Sequence, residues 1–308
     1  MQSRGFRFIC FFDEFVVSRG LVALKEKVLT VGLGEVGGAL FELFKESGKF
    51  DVYGFDVDER KMRKIVGEVE PPKNVDVMHI CYPCVEQKEF VQTTLNYIRT
   101  FKPELTIIES TVSPGTTWKI YELFKSPIAF SPIRGMHKTL KTMKRDILFW
   151  RKYVGGVTKE AANAARKHFE NLGLKVKVLK SPVEAELAKL FETTYRAWMI
   201  ACFQEMHRIS RDFGADFNEV VDMLEDIHRA RLNKPLHYPD VIGGHCLIPN
   251  TELLLKSYDS EFLRLILESN EKRREEVKDE RVRREVEKIK ERVEALEREL
   301  MEKCGEGS

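Results

Sequence analysis

Residues 27–44 read KVLTVGLGEVGGALFELF, and the order of the three parts decides how the chain folds. Val28, Leu29 and Val31 form a short, β-branched apolar run that predicts a buried strand. Gly32, Gly34 and Gly37 follow in G-x-G-x-x-G register, and Leu40, Phe41 and Phe44 continue at helical spacing. In that context Gly32 permits a tight turn, Gly34 lets a pyrophosphate approach the backbone, and Gly37 lets the helix pack closely on the strand. Glu35, Val36 and Gly37 open the helix, whose unpaired N–H groups and positive dipole end suit a phosphate. A second predicted strand, 51–57, carries Asp56 about 20 residues beyond the turn, where an acid that reads an adenosine ribose belongs. A carboxylate there repels a 2′-phosphate, so the predicted cofactor is NAD rather than NADP.

Beyond this unit strands and helices alternate. Residues 75–82 read as a strand, 87–99 as a helix, 105–109 as a strand, and a helix begins at Thr116. Strands at 128–130 and 152–157, a helix at 159–172 and a strand at 175–179 complete the layer. The pattern predicts an α/β fold, a doubly wound parallel sheet of the Rossmann type, over residues 25–180. Ligands bind at the carboxyl ends of such strands. The loops after Gly32, Tyr82, Ser110 and Ser131 are therefore expected to share a cleft, with Tyr82, Pro83, Ser110 and Thr111 beside the cofactor.

Residues 181–276 lack strand patterning and are expected to form an all-α dimerisation and catalytic domain. Its long helix, roughly 183–213, is apolar on more than one stripe, so it is expected to be buried on several sides, including against a second subunit. Lys189 interrupts that surface, with Thr193 one turn on; the lysine either snorkels or is functional. Cys246 follows Gly243-Gly244 in IGGHCLIPN and is either a small buried residue or a nucleophile that the glycines let a ligand approach. In the charged tail Val282, Val286, Ile289, Val293, Leu296 and Leu300 alternate spacings of four and three, predicting a coiled-coil helix over 277–303, with a solvated single helix as the alternative.

Composition sets outer limits. A net charge of +2 over 308 residues argues for neither nucleic acid nor an anionic membrane as partner. The apolar patch within the N-terminal extension, residues 1–24, is too short and too charged to span a bilayer. Six scattered cysteines form no small-domain disulfide framework, which suggests a reducing cytoplasm. Cys81 and Cys84 are formally C-x-x-C but have no second ligand pair, so no metal site is predicted.

The motifs GLGEVGG, ESTVSPGTT, SPIRG, EAELAKLFETTYRA and IGGHCLIPN, in this order, make the chain resemble the UDP-glucose/GDP-mannose dehydrogenase family, especially its branch that oxidises UDP-N-acetylhexosamines. The resemblance runs from about Lys27 to Arg273. It implies two-step, NAD-dependent oxidation of a sugar primary alcohol through a cysteine thiohemiacetal and thioester. It also implies a homodimer or higher homo-oligomer, and a small-molecule substrate of the nucleotide-sugar class. Cys246 falls on the nucleophile, Lys189 on the lysine that stabilises oxyanions, and Thr111 on the threonine that positions water; a nearby ammonium would hold the thiol below a free cysteine's pKa. Departures are equally plain. Thr193 stands for an asparagine, Asn250 for an aspartate and Ile133 for the glutamate that acts on the hydrolytic water, leaving His137 and His245 as nearby bases. The family's third, nucleotide-holding domain has no counterpart, with the heptad tail in its place. An NAD-responsive scaffold without catalysis is the rival expectation.

Overall fold

A computed structural model describes residues 25–305 except 68, 136–138, 232–234 and 245; the expected extension 1–24 and both His137 and His245 lie outside the described residues. The first half runs β1 (Glu26–Val31), α1 (Glu35–Ser47), β2 (Phe50–Phe55), α2 (Glu59–Lys61) with a π-helical turn at Met62–Val66, β3 (Val77–Ile80), α3 (Gln87–Phe101) and β4 (Leu105–Ile108). It continues through α4 (Thr116–Phe124), β5 (Ile128–Phe130), α5 (Leu140–Phe149), β6 (Lys152–Gly156), α6 (Lys159–Leu172) and β7 (Val176–Val178). The strands form one sheet in the order β2-β1-β3-β4-β5-β6-β7. Every residue of β3, β4 and β5 is buried, as near-continuous apolar runs require when helices cover both faces. The order reverses at β1, leaving a crevice beyond the carboxyl ends of β1 and β3, where open α/β sheets bind ligands.

One strand departs from the expected parallel layer. β6 pairs antiparallel with β5, while β7 is again parallel to β6. The cause is α5, which the sequence reading left unassigned. It brings the chain back to the end of the sheet where β5 finished, so Lys152 at the start of β6 bonds the carbonyl of Ser131 just past β5.

The second half is all helix among its described residues: α7 (Pro182–Asp212), α8 (Phe217–Arg231), α9 (Leu247–Ser257), α10 (Glu261–Glu276) and α11 (Glu280–Gly305). Ser181 caps α7 by accepting the Val183 N–H, with Pro182 at the first helical position, where a missing N–H costs nothing. Leu190 and Ala197 of α7 pack with Leu253 and Leu254 of α9 and Leu263 and Ile266 of α10. The heptad tail corrects an expectation. Ile289, Val293 and Leu296 of α11 pack on Phe203, Phe217, Val221 and Leu236 of the same chain. Arg292 fastens the contact by ion pairs to Asp222 and Glu225 of α8. Three-four spacing specifies an apolar stripe but not whose surface covers it, and here the chain covers its own.

Within one chain, α7 leaves part of its apolar surface open. Phe191 and Tyr195 are 54% and 63% exposed. With Trp198, Leu254, Tyr258 and Phe262 they line an open apolar groove of about 590 Å³. Among the described residues no helix is long and apolar enough to cross a membrane.

Candidate active site

The glycine turn after β1 divides its work as the motif requires. Gly32 has φ +90°, and a Cβ there would lie 2.7 Å from the Tyr82 nitrogen, so the turn presses directly on the loop after β3. A Cβ on Gly37 would lie 1.8 Å from the Gly32 carbonyl oxygen, which fixes α1 against the turn. Above Gly34 there is nothing within 4 Å. Two glycines are thus closed by protein and the third opens onto the start of α1, a shape that fits a dinucleotide pyrophosphate.

Asp56 follows β2 at the same end of the sheet. Its Oδ2 accepts the Leu33 N–H at 2.7 Å, its Oδ1 accepts the Asp58 N–H at 2.9 Å, and Lys61 stands 3.6 Å away. The carboxylate braces the glycine turn itself, a role the sequence reading did not foresee. Ser110 is likewise structural: its hydroxyl donates to the Tyr82 carbonyl at 2.6 Å, tying the loops after β3 and β4. Tyr82 is held by a 2.6 Å hydrogen bond between its hydroxyl and Thr94, with Pro83 next to it in the loop, and Thr111 is half-buried beside Ser110. Cys81 and Cys84 are both pushed up by burial, Cys84 to about 11, so neither has thiolate character.

Across the cleft α7 and α9 bring four predicted residues together. The Asn250 amide donates to the Thr193 hydroxyl at 3.2 Å, so two residues that depart from the family pattern are partners here. Cys246 is the N-cap of α9, one turn before Asn250, and Lys189 lies one turn before Thr193. Burial pushes the Cys246 thiol up; Lys189 pulls it down, while Glu35 and Glu192 push it further up. The expected depressed thiol is therefore not found. Lys189 divides its charge, donating to Glu192 at 3.2 Å. Ile133 is packed in the core of the first half.

Glu186 is an anchor that motif reading passed over. Fully buried on α7, it accepts the Gly115 N–H at 2.6 Å, the Thr117 N–H at 3.0 Å and the Thr117 hydroxyl at 2.6 Å. The carboxylate caps α4 from the other half of the chain and sets α7 against the SPGTT loop. Its place beside apolar Ala185 and Leu187 was the only signal.

Residues 183–272 match the model of the UDP-glucose/GDP-mannose dehydrogenase family, central domain. The matched stretch is similar to that family's central domain. It contains Lys189, Thr193, Cys246 and Asn250. The UDP-N-acetyl-D-mannosamine dehydrogenase of Methanocaldococcus jannaschii is 27% identical over 286 residues, covering 80% of this chain and 65% of that protein. The protein of the same name from Pyrococcus horikoshii is 26% identical over 289 residues, 77% of this chain and 65% of its own length. The chain thus spans about 65% of the relatives' length. The structure of UDP-D-ManNAc dehydrogenase from Pyrococcus horikoshii superposes with a TM-score of 0.66 at 22% identity, covering 80% of this chain and 68% of that one. The likeness establishes that the dehydrogenase fold extends through both halves.

Proposed function

We propose that the protein is an NAD-dependent oxidoreductase acting on a CH–OH group of a sugar or nucleotide sugar, with residues 25–180 holding the dinucleotide and 181–276 supplying catalysis and dimerisation. The observation that carries this reading is the open face of Gly34 at the start of α1, together with Cys246 and Lys189, each one turn from the bonded pair Asn250 and Thr193. Bound NAD would accept the hydride. The glycine turn would orient the cofactor, and Asp56, already bracing that turn, has lone pairs left for ribose hydroxyls. Lys189 would stabilise negative charge developing on the substrate oxygen. The Cys246 thiol, once deprotonated, would attack an aldehyde carbon to give a thiohemiacetal. Thr111 would position water.

The Asn250 amide cannot act as a base and is bonded to Thr193, and Ile133 is apolar, so neither of these two positions can assist thioester hydrolysis. This favours an enzyme that stops short of the acid or stalls with an adduct on Cys246. The exposed aromatic groove formed by α7, α9 and α10 supports pairing of two copies through this face.

Calorimetric titration with NAD and NADP tests the reading. NAD should bind in preference, and Gly34→Ala should weaken it about tenfold or more while leaving thermal stability unchanged, because the new methyl fills ligand space only. A preference for NADP overturns the assignment of Asp56. Incubation with NAD and UDP-sugars, followed by NADH fluorescence and mass spectrometry of the protein, separates turnover from a Cys246 adduct. NAD binding with neither product would favour the scaffold.

A further inference from the structure

Behind the cleft, side chains remote in sequence stand in an unbroken line. Glu26 opens β1 at the end of the sheet away from the cleft, and its side chain is 31% exposed. Its Oε2 lies 2.7 Å from Nδ1 of His168 on α6. Nε2 of His168 lies 2.9 Å from Nε2 of His79, in the middle of β3. Nδ1 of His79 lies 3.0 Å from Oε1 of Glu109, which follows β4. Oε2 of Glu109 accepts from Lys152 at 2.6 Å. Lys152 also donates to the Ser131 carbonyl at 2.7 Å, in the loop that leads to Ile133 and Arg134 at the cleft end. The row therefore runs the length of the sheet. Phe44, Phe50 and Phe169 pack on the imidazoles, and Lys152 lies 4.7 Å over the Phe169 ring.

Counting hydrogens fixes the charge of the row. Each outer imidazole nitrogen faces a carboxylate oxygen, which only accepts, so each must carry a hydrogen when the carboxylates are ionised. The contact between the two Nε2 atoms needs one hydrogen between them. Three hydrogens on four nitrogens is one proton more than two neutral rings hold. With that proton the row is neutral: two carboxylates against one imidazolium and one ammonium. Without it, a net negative charge would be buried and two lone pairs would face each other, both costly in a low-dielectric interior.

We propose that Glu26, His168, His79, Glu109 and Lys152 form a relay that holds one shared proton, communicates with solvent through Glu26, and positions the loop at residues 131–135 through Lys152. The charged groups facing the imidazole pair are Glu26 of β1, Glu109 after β4 and Lys152 of β6. Cys81 after β3 acts on the far end with Glu109 and Lys152, and Lys189 of α7 acts on Lys152; α1 and β2 pack the rings of Phe44 and Phe50 on the imidazoles. Desolvation holds His79 down, with the hydrogen bond to Glu109 opposing it. Removing the shared proton breaks the link between the rings and frees the Glu109–Lys152 pair to shift, taking the Ser131 carbonyl with it. That the loop borders a cofactor cleft rests on the reading above; the proton count does not.

The test is nitrogen NMR of the full chain labelled at histidine and at backbone amides, titrated without ligand. Near neutral pH three of the four ring nitrogens of His79 and His168 should be protonated, and both rings should respond in a single step as pH rises. The amide signals of Ile133 and Gly135 should follow the same midpoint. Glu26→Gln keeps shape at a partly exposed position and removes one charge, so it should lower that midpoint by about one pH unit. Two neutral rings at neutral pH, independent titration, or a midpoint indifferent to Glu26→Gln would overturn the shared proton. Loop amides that ignore the midpoint would overturn the positioning role. None of these measurements involves NAD, so failure of the cofactor reading would appear separately, as absent binding.

Discussion

The α/β half and the helical half keep their charges in different places. In the first, Glu109, Lys152, His79 and His168 are buried together within the sheet layer. In the second, ion pairs lie along the seams between helices, as with Arg208 and Glu276 or Arg292 and Glu225, and Arg273 is buried where it donates to the Gln204 carbonyl. The sheet of the first half is buried between helices, its own and the start of α7, while the second half leaves the aromatic groove on α7 and α10 open. Burying charge demands a complete set of partners, which a closed layer supplies from within. Helix seams tolerate incomplete coverage, because water finishes what the partner does not.

The sharpest way to break this contrast lies in the glycine turn. Gly37→Ala should cost about 3 kcal/mol or more in urea unfolding, since its methyl would meet the Gly32 carbonyl. Gly34→Ala should stay within about 0.5 kcal/mol of the parent protein. Equal costs would mean that the turn does not divide its glycines between packing and ligand.

Next in size is α11. Ile289→Ala removes a side chain that is 1% exposed and packed with Phe203, Phe217 and Val221, and should cost about 2–5 kcal/mol. Because the seam is filled from within the chain, that loss should not change with protein concentration. A cost that varies with dilution would return the tail to the coiled coil its heptads first suggested.

Those heptads show what sequence can and cannot say. The strand–glycine–helix unit was legible because each position obeys a local rule: β-branched run, turn, amphipathic helix. Lys189 and Thr193 were legible as positions on a helix, and Cys246 and Asn250 as positions in the IGGHCLIPN motif, but not as a set. The Thr193–Asn250 bond spans 57 residues and depends on how two helices meet. His79 and Lys152 gave no signal, and Glu186 gave only its apolar neighbours, because a polar residue in an apolar stretch reads as a surface residue until its partners are in place. The antiparallel turn into β6 was hidden for a similar reason: strand patterning carries no direction.

The smallest effect concerns that helix pair. Thr193→Val leaves the Asn250 amide without its acceptor and should cost about 1 kcal/mol. A double-mutant cycle with Asn250→Leu should return a coupling of about 0.5–1.5 kcal/mol. Zero coupling would separate α7 from α9 at this point and leave Cys246 without a fixed relation to Lys189.

The bond between Glu26 and His168 also has a place in time. Its two ends lie 142 residues apart, so β1 leaves the ribosome long before the imidazole that pairs with its first side chain exists. At about 5–20 residues per second the interval is roughly 7–28 s. During it the strand that opens the sheet can pair with β2 and β3 but cannot complete its buried polar row. β1 is among the last described strands to have its charges matched, and a nascent chain stopped before α6 would carry His79 in the centre of the sheet with half of its partners not yet synthesised.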